Sequence, residues 1–297
     1  MIPLEAHILG SSAARPYIDR GTSSLYVQAG GSRVLIDCGE GTQVEIDRQG
    51  LSAQKLDAVC ITHMHGDHLF GLPGLLTSLA LGTRTKPLTL IGPESLEAYL
   101  NETFKYSQSH LTFDLNFVAL DFEGPQRDIF ELRDLSIHSI PLIHRIPTCG
   151  FVIEQKGTGL PLKAGVIDEF RIPYRLIESI KHGEDFVNKK GVRIPNAKLT
   201  DPAPPPTPLA YLTDTAPISS YPSGWTPPSV LFHDATFSGA DQALAKKTGH
   251  STVLEAAAFA KTCQAEELIL THISVRYGDR EALLKEAQSA FAKTRLA

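Results

Sequence analysis

Cysteine is scarce and scattered in this chain: Cys38, Cys60, Cys149 and Cys263 form no close pair. That spacing argues against a disulfide scaffold or a thiolate metal site, and it fits a reducing compartment, so a cytoplasmic protein is expected. No run approaches the ~18 apolar residues that a membrane-spanning helix needs. The opening Met1-Ile2-Pro3-Leu4-Glu5 lacks a basic stretch followed by a long apolar one, so neither a signal peptide nor a membrane partner is expected. A positive charge excess is also missing. The net charge is −5, so a polyanionic substrate would have to be held by a local patch or by bound metal. What remains is ordinary for a globular protein: 297 residues, 42% hydrophobic and 21% charged, long enough for a substantial core.

The pattern along the chain mixes strands and helices in both halves. Ser24–Gln28 and Arg33–Asp37 flank Ala29-Gly30-Gly31-Ser32, which predicts a hairpin. Asp57–Ile61 is nearly continuous in apolar residues, as expected of a strand covered on both faces. Leu72 to Leu81 and Glu94 to Tyr106 suit helices, while Phe113, Leu115, Phe117 and Ala119 alternate like a strand. Further on, Ala210–Thr213, Val230–Phe232 and Leu268–Thr271 read as short strands, Thr252 to Thr262 as an alanine-rich helix and Glu281 to Thr294 as a terminal one. This predicts a layered α/β sandwich, a single domain over 1–297. Lys156 to Pro208 breaks the rhythm, with Lys181, Lys189, Lys190 and a proline-rich end, and reads as an inserted arm.

The sharpest signal is Thr62-His63-Met64-His65-Gly66-Asp67-His68, where four potential ligands lie within six residues directly after a buried strand. His63 and His65 share one side of an extended segment and could grip one ion, while Asp67 and His68 on the following turn could face a second. Imidazole and carboxylate without thiolate suit zinc, with manganese or iron as alternatives. Each of His144, Asp214 and His272 ends a short apolar run, the position at which a layered α/β fold presents functional groups. A carboxylate must bridge two like-charged ions, and Asp214 is the candidate, leaving room for an activated water as nucleophile. Asp37 is a candidate support for the ligand loop. Gly39, Gly41, Gly71 and Gly74 supply turns and close packing, and His7, His110, His138 and His182 have no comparable setting.

These residues resemble the H-x-H-x-D-H pattern, followed by distant His, Asp and His, of the metallo-β-lactamase superfamily. Within it, Asp37–Gln43, Ile61–His68, Gly71–Leu75, Leu212–Thr215, His250–Thr252 and Leu270–Ser274 are similar to the ribonuclease Z family of tRNA 3′-processing endonucleases. The resemblance covers nearly the whole chain apart from the arm. It implies a four-layer αβ/βα sandwich that binds two zinc ions. One ion takes His63, His65, His144 and Asp214, and the other Asp67, His68, Asp214 and His272. It further implies that Asp67 orients the attacking water, that His250, positioned by Asp234, protonates the leaving ribose oxygen, and that precursor tRNA is the substrate of a homodimer. Ser251 and Arg276 are candidate contacts for the substrate phosphate.

The chain also departs from the family pattern. Asp234 stands where the family has Glu. Pro16-Tyr17-Ile18-Asp19-Arg20-Gly21 keeps the proline and arginine of the loop near the RNA 3′ end but not its lysine and asparagine. The segment Ile172–Asp185 lacks the Gly-Pro-rich arm tip. These departures keep open a related phosphodiesterase acting on a smaller or non-tRNA substrate. A non-catalytic RNA-binding module has no need of the full ligand set.

Overall fold

The computed structural model describes residues 4–18, 20–122, 127–157, 159–203 and 206–297. Asp19 of the Pro16–Gly21 loop, and Pro204 and Pro205 of the proline-rich end, lie outside them. The chain divides into two compact units, Gln155–Pro206 and the remainder.

The larger unit holds two seven-stranded sheets. The first runs, in spatial order, Gly21–Thr22, Glu5–Ser12, Ser24–Ala29, Ser32–Ile36, Ala58–Cys60, Leu88–Gly92 and Leu115–Ala119. The second runs Thr294–Leu296, Glu267–Thr271, Val230–Asp234, Leu209–Leu212, Cys149–Gln155, Leu135–Pro141 and Arg127–Glu131. Strand alternation sends successive side chains to opposite faces, and the cores follow from it. Val59 and Leu35 face a helical layer with Leu72, Leu75, Leu76 and Leu79, which recur at helical spacing along Leu72–Leu81. Ala58, Cys60, Val34 and Ile36 face inward and meet Leu209, Tyr211 and Ile269 of the second sheet. Ala210, Leu212, Leu268 and Leu270 face outward onto the helices Val253–Thr262 and Arg280–Ala290. The result is the four-layer αβ/βα sandwich of the metallo-β-lactamase type expected from the sequence.

The predicted hairpin is Ser24–Ala29 with Ser32–Ile36, and the predicted helices begin and end within a residue or two of expectation, with one exception. The terminal helix stops at Ala290, and Thr294–Leu296 forms a parallel edge strand against Leu268–Leu270. Thr294 therefore belongs to a sheet, because pairing with an already formed edge outweighs the local helical pattern.

The unit Gln155–Pro206 has its own small core of Val166, Ile172, Ile180, Phe186, Ile194 and Leu199. It contains short helices and a two-strand ribbon, Phe186–Val187 with Arg193–Ile194. Asn196 ties it together, donating from its side chain to the Ile180 and Glu184 carbonyls at 2.6 and 2.8 Å.

Candidate metal centre

In each sheet of the larger unit four neighbouring strands run parallel. Residues at or just beyond their C-terminal ends supply Asp37, His63, Asp214, Asp234 and His272. Such ends leave side chains projecting past the last ladder hydrogen bond, where a doubly layered fold can gather them. The gathering has a backbone cost. Asp37 (φ 56°), Asp214 (φ 54°), His272 (φ 58°) and Ala14 (φ 64°) all adopt left-handed conformations. This costs roughly 1 kcal/mol each, and less for Asp and His, which tolerate that region best. The ligand turn also needs close backbone approach, since a Cβ on Gly39 would run into the Asp67 carbonyl.

All seven predicted ligands converge. His63, His65, His144 and Asp214 form one group whose ligand atoms lie within 4.8 Å of one another, and Asp67, His68 and His272 form another. Around the first group, His65 Nδ1 is 2.9 Å from His63 Nε2 and 3.3 Å from His144 Nε2. Asp214 Oδ2 stands 3.6 Å from His63 Nε2 and 3.8 Å from His144 Nε2. Around the second, Asp214 Oδ1 is 3.1 Å from His68 Nε2 and 3.2 Å from His272 Nε2, while Asp67 Oδ2 lies 3.2 Å from His272 Nε2. The two oxygens of Asp214 thus face different groups, as a bridging carboxylate must.

The donor set fits divalent cations. Three histidine nitrogens crowd together in the first group. His68 Nε2 is fully buried and makes no well-aligned hydrogen bond among the described residues; its near neighbours are the carboxylates of Asp214 at 3.1 Å and Asp67 at 3.7 Å, a buried polar grouping that a cation would satisfy. Burial first, then neighbouring imidazoles, push His63 well down, and burial likewise lowers His65 and His144, so these rings stay neutral and can donate. Burial opposes charge on Asp214 and Asp67. The surrounding histidines outweigh it and hold both carboxyls well below the usual range. His68 and His272 are raised despite burial, because Asp214, with Asp37 on one side and Asp67 on the other, favours positive charge there.

Two threonine–carboxylate pairs orient the rings. Thr62 Oγ1 donates to Asp37 Oδ1 at 3.0 Å and accepts from His63 Nδ1 at 2.9 Å, while His68 Nδ1 donates to Asp37 Oδ2 at 2.7 Å. In the second half, Thr236 Oγ1 donates to Asp234 Oδ1 at 2.8 Å and accepts from His272 Nδ1 at 3.0 Å, and His250 Nδ1 donates to Asp234 Oδ2 at 2.7 Å. His144 Nδ1 donates to the Gly249 carbonyl at 2.8 Å. Partners of this kind fix the tautomer that presents a lone pair to the cation. Asp37, expected from the sequence as a support, contacts His68 directly. Thr62, Thr236 and Gly249 carry no distinguishing mark in the sequence, since a threonine or glycine beside a strand or helix end is common.

A cavity of about 460 Å³ opens over the centre, lined by Asp67, His65, Asp214, His250, His272 and Arg145 among others. Asp67 accepts the Ala14 N–H at its edge, at 2.7 Å. Ser251 is placed otherwise than expected: it is fully buried, its hydroxyl donates to the Thr215 carbonyl at 2.7 Å, and it does not line the cavity. The helix cap is Thr252, in a reciprocal capping box with Glu255. Arg276 also lies outside the lining, its guanidinium 5.1 Å above the Phe237 ring. The exposed cation in the lining is Arg145, which makes no ion pair among the described residues. Its only mark in the sequence is that it directly follows His144.

This layering, with a histidine–aspartate cluster at the C-terminal ends of interior strands of both sheets, defines a hydrolase of the metallo-β-lactamase fold with a site for divalent cations. The metallo-β-lactamase fold protein YhfI from Bacillus subtilis, at 21% identity, shares the fold with a TM-score of 0.66 over all of this chain and 97% of its own. Human tRNase Z, short form, is 28% identical with a TM-score of 0.68, covering 98% of this chain and 95% of that one. The ribonuclease Z of Parabacteroides distasonis is 38% identical over 294 residues, 99% of this chain and 96% of that protein. A family profile described as Anti-Pycsar protein Apyc1 matches residues 4–159. The chain belongs to the ribonuclease Z family and, through residues 4–159, to the family of that profile.

Proposed function

We propose that this chain is a metal-dependent endoribonuclease that removes 3′ trailers from tRNA precursors, leaving a 3′-hydroxyl on the tRNA. The observation that carries the reading is the convergence of seven ligands beside the His250–Asp234 pair in a chain related to ribonuclease Z over its full length. When bound, two divalent cations, zinc by the chemistry of the donors and manganese or iron as alternatives, would neutralise the phosphate and acidify water.

The remaining work falls to side chains. Asp67, held by Ala14 N–H and facing the cavity, holds and orients a proton of the attacking water. Arg145 meets a non-bridging phosphate oxygen. His250 is fixed with Nδ1 on Asp234, so Nε2 is the nitrogen that passes a proton to the ribose 3′-oxygen as the bond from phosphorus to that oxygen breaks. Burial opposes charge on Asp234, but His250 outweighs it and keeps the carboxylate ionised. The shorter aspartate therefore still reaches its partner.

The reading treats Lys156–Pro208 as an arm inserted in one hydrolase domain, gripping RNA, with Lys189 and Lys190 as backbone contacts. It assigns the protein to the cytoplasm as a homodimer. No described helix is long and apolar enough to cross a membrane. The arm without a Gly-Pro tip favours a second reading, a phosphodiesterase for a smaller substrate. A panel of trailer-bearing tRNA, CCA-ended tRNA and a chromogenic phosphodiester separates them. Rapid cleavage of the first at the discriminator supports the ribonuclease. Turnover of the small diester alone replaces it with the second reading.

A further inference from the structure

Between the ligand His68 and Gly71 the chain places two large apolar residues with opposite fates. Leu69 is buried in the core at 1% exposure, whereas Phe70 is 64% exposed and lines the cavity over the metal centre. Scattered exposed apolar residues need no explanation, but this one combines three features. It shares the cavity with Asp67, His250 and Arg145, the groups proposed to act on the scissile phosphate. Its backbone is fixed, because the Phe70 N–H donates to the Gly66 carbonyl at 2.8 Å within the turn that carries Asp67 and His68. Its ring is backed by Gly66 so closely that a Cβ there would run into the ring edge. One side of the ring is therefore backed by the Gly66 backbone, while the residue as a whole stays 64% exposed beside the cavity.

We propose that Phe70 is a stacking platform for the unpaired nucleobase beside the scissile phosphate. An aromatic face accepts any base, so it would position single-stranded RNA without imposing sequence. With the phosphate held near Arg145 and the base on Phe70, the nucleotide is fixed at two points and the bond to be broken lies between Asp67 and His250. The inference rests on the ribonuclease reading above.

The test uses the full-length, metal-loaded protein and three versions of one trailer-bearing tRNA: unmodified, abasic on the 5′ side of the cut and abasic on the 3′ side. Phe70→Ala and Phe70→Leu are compared with wild type and with Phe70→Trp, and metal content is measured for each. Loss of one stack is expected to lower kcat/KM on unmodified RNA by roughly 5- to 150-fold in both the Ala and Leu variants, with Trp close to wild type. On one of the two abasic RNAs that difference should vanish. Leu retains apolar bulk, so a Leu variant equal to wild type would reduce Phe70 to a packing group and overturn the proposal. Equal losses on all three RNAs would do the same. If wild type cleaves none of the RNAs, the ribonuclease reading itself fails; if wild type cleaves and Phe70→Ala is indistinguishable from it, only the stacking proposal falls.

Discussion

Replacing Asp37 by asparagine removes a charge but almost no volume, and its consequence should appear at the metal centre. Asp37 is fully buried. Its Oδ1 accepts from Thr62 N and Oγ1 at 2.8 and 3.0 Å, and its Oδ2 accepts from His68 Nδ1 at 2.7 Å. An asparagine that keeps its carbonyl on Thr62 turns its NH2 toward His68. The ring must then accept at Nδ1 and carry its proton at Nε2, the nitrogen that faces Asp214 and the second cation position. The opposite amide orientation sets NH2 against the Thr62 N–H instead. Either way one buried contact becomes donor against donor or the ligand lone pair is blocked. Losing such a supporting carboxylate costs about 10–100-fold in metal affinity, or ~1.4–2.7 kcal/mol. Competition against a chromophoric chelator measures this, and circular dichroism confirms that the variant is folded. A folded Asp37→Asn protein that binds both cations as tightly as wild type would refute the tautomer argument.

Three further outcomes follow from the same geometry. His250→Ala should retain its metal and slow single-turnover cleavage by about 10²–10⁴; a variant with an emptied site would show that His250 is a ligand instead. Arg145→Ala should lower kcat/KM on RNA by about 10- to 150-fold, the value of a charge-assisted hydrogen bond, while Arg276→Ala changes it little, and the reverse ranking would restore the sequence-based choice. Burial pushes the Cys38 thiol and the Tyr26 hydroxyl each up to about 12 from usual values of 9.0 and 10.0. Once unfolded, both groups lose their protons at lower pH than in the native state. Stability should therefore be intact below pH ~9 and fall toward pH ~12, by about 1.4 kcal/mol per pH unit for each group. A urea midpoint unchanged between pH 8 and 11 would contradict this.

The ligands were legible because histidines and aspartates sit where apolar runs end, and a strand end is a place that sequence periodicity can find. The layering was legible for a similar reason: Ala58-Val59-Cys60 is apolar on both faces, which only a strand covered on both sides requires. Arg145 is not legible, since one arginine after a ligand has no period or partner in sequence, and neither is the stacking of Arg276 on the Phe237 ring. The burial of Ser251 is not legible either, because it depends on the Thr215 carbonyl, 36 positions away in sequence. Residues 291–294 read as helix because the short edge strand Thr294–Leu296 carries too little pattern to oppose the preceding helical one.

Elemental analysis of purified wild-type and Asp214→Ala proteins, after dialysis against dilute zinc, goes most directly to the central claim. The account expects two ions per chain in wild type and fewer than one in the variant, because one Asp214 oxygen faces His63 and His144 and the other faces His68 and His272. Equal metal content in the two proteins would contradict it.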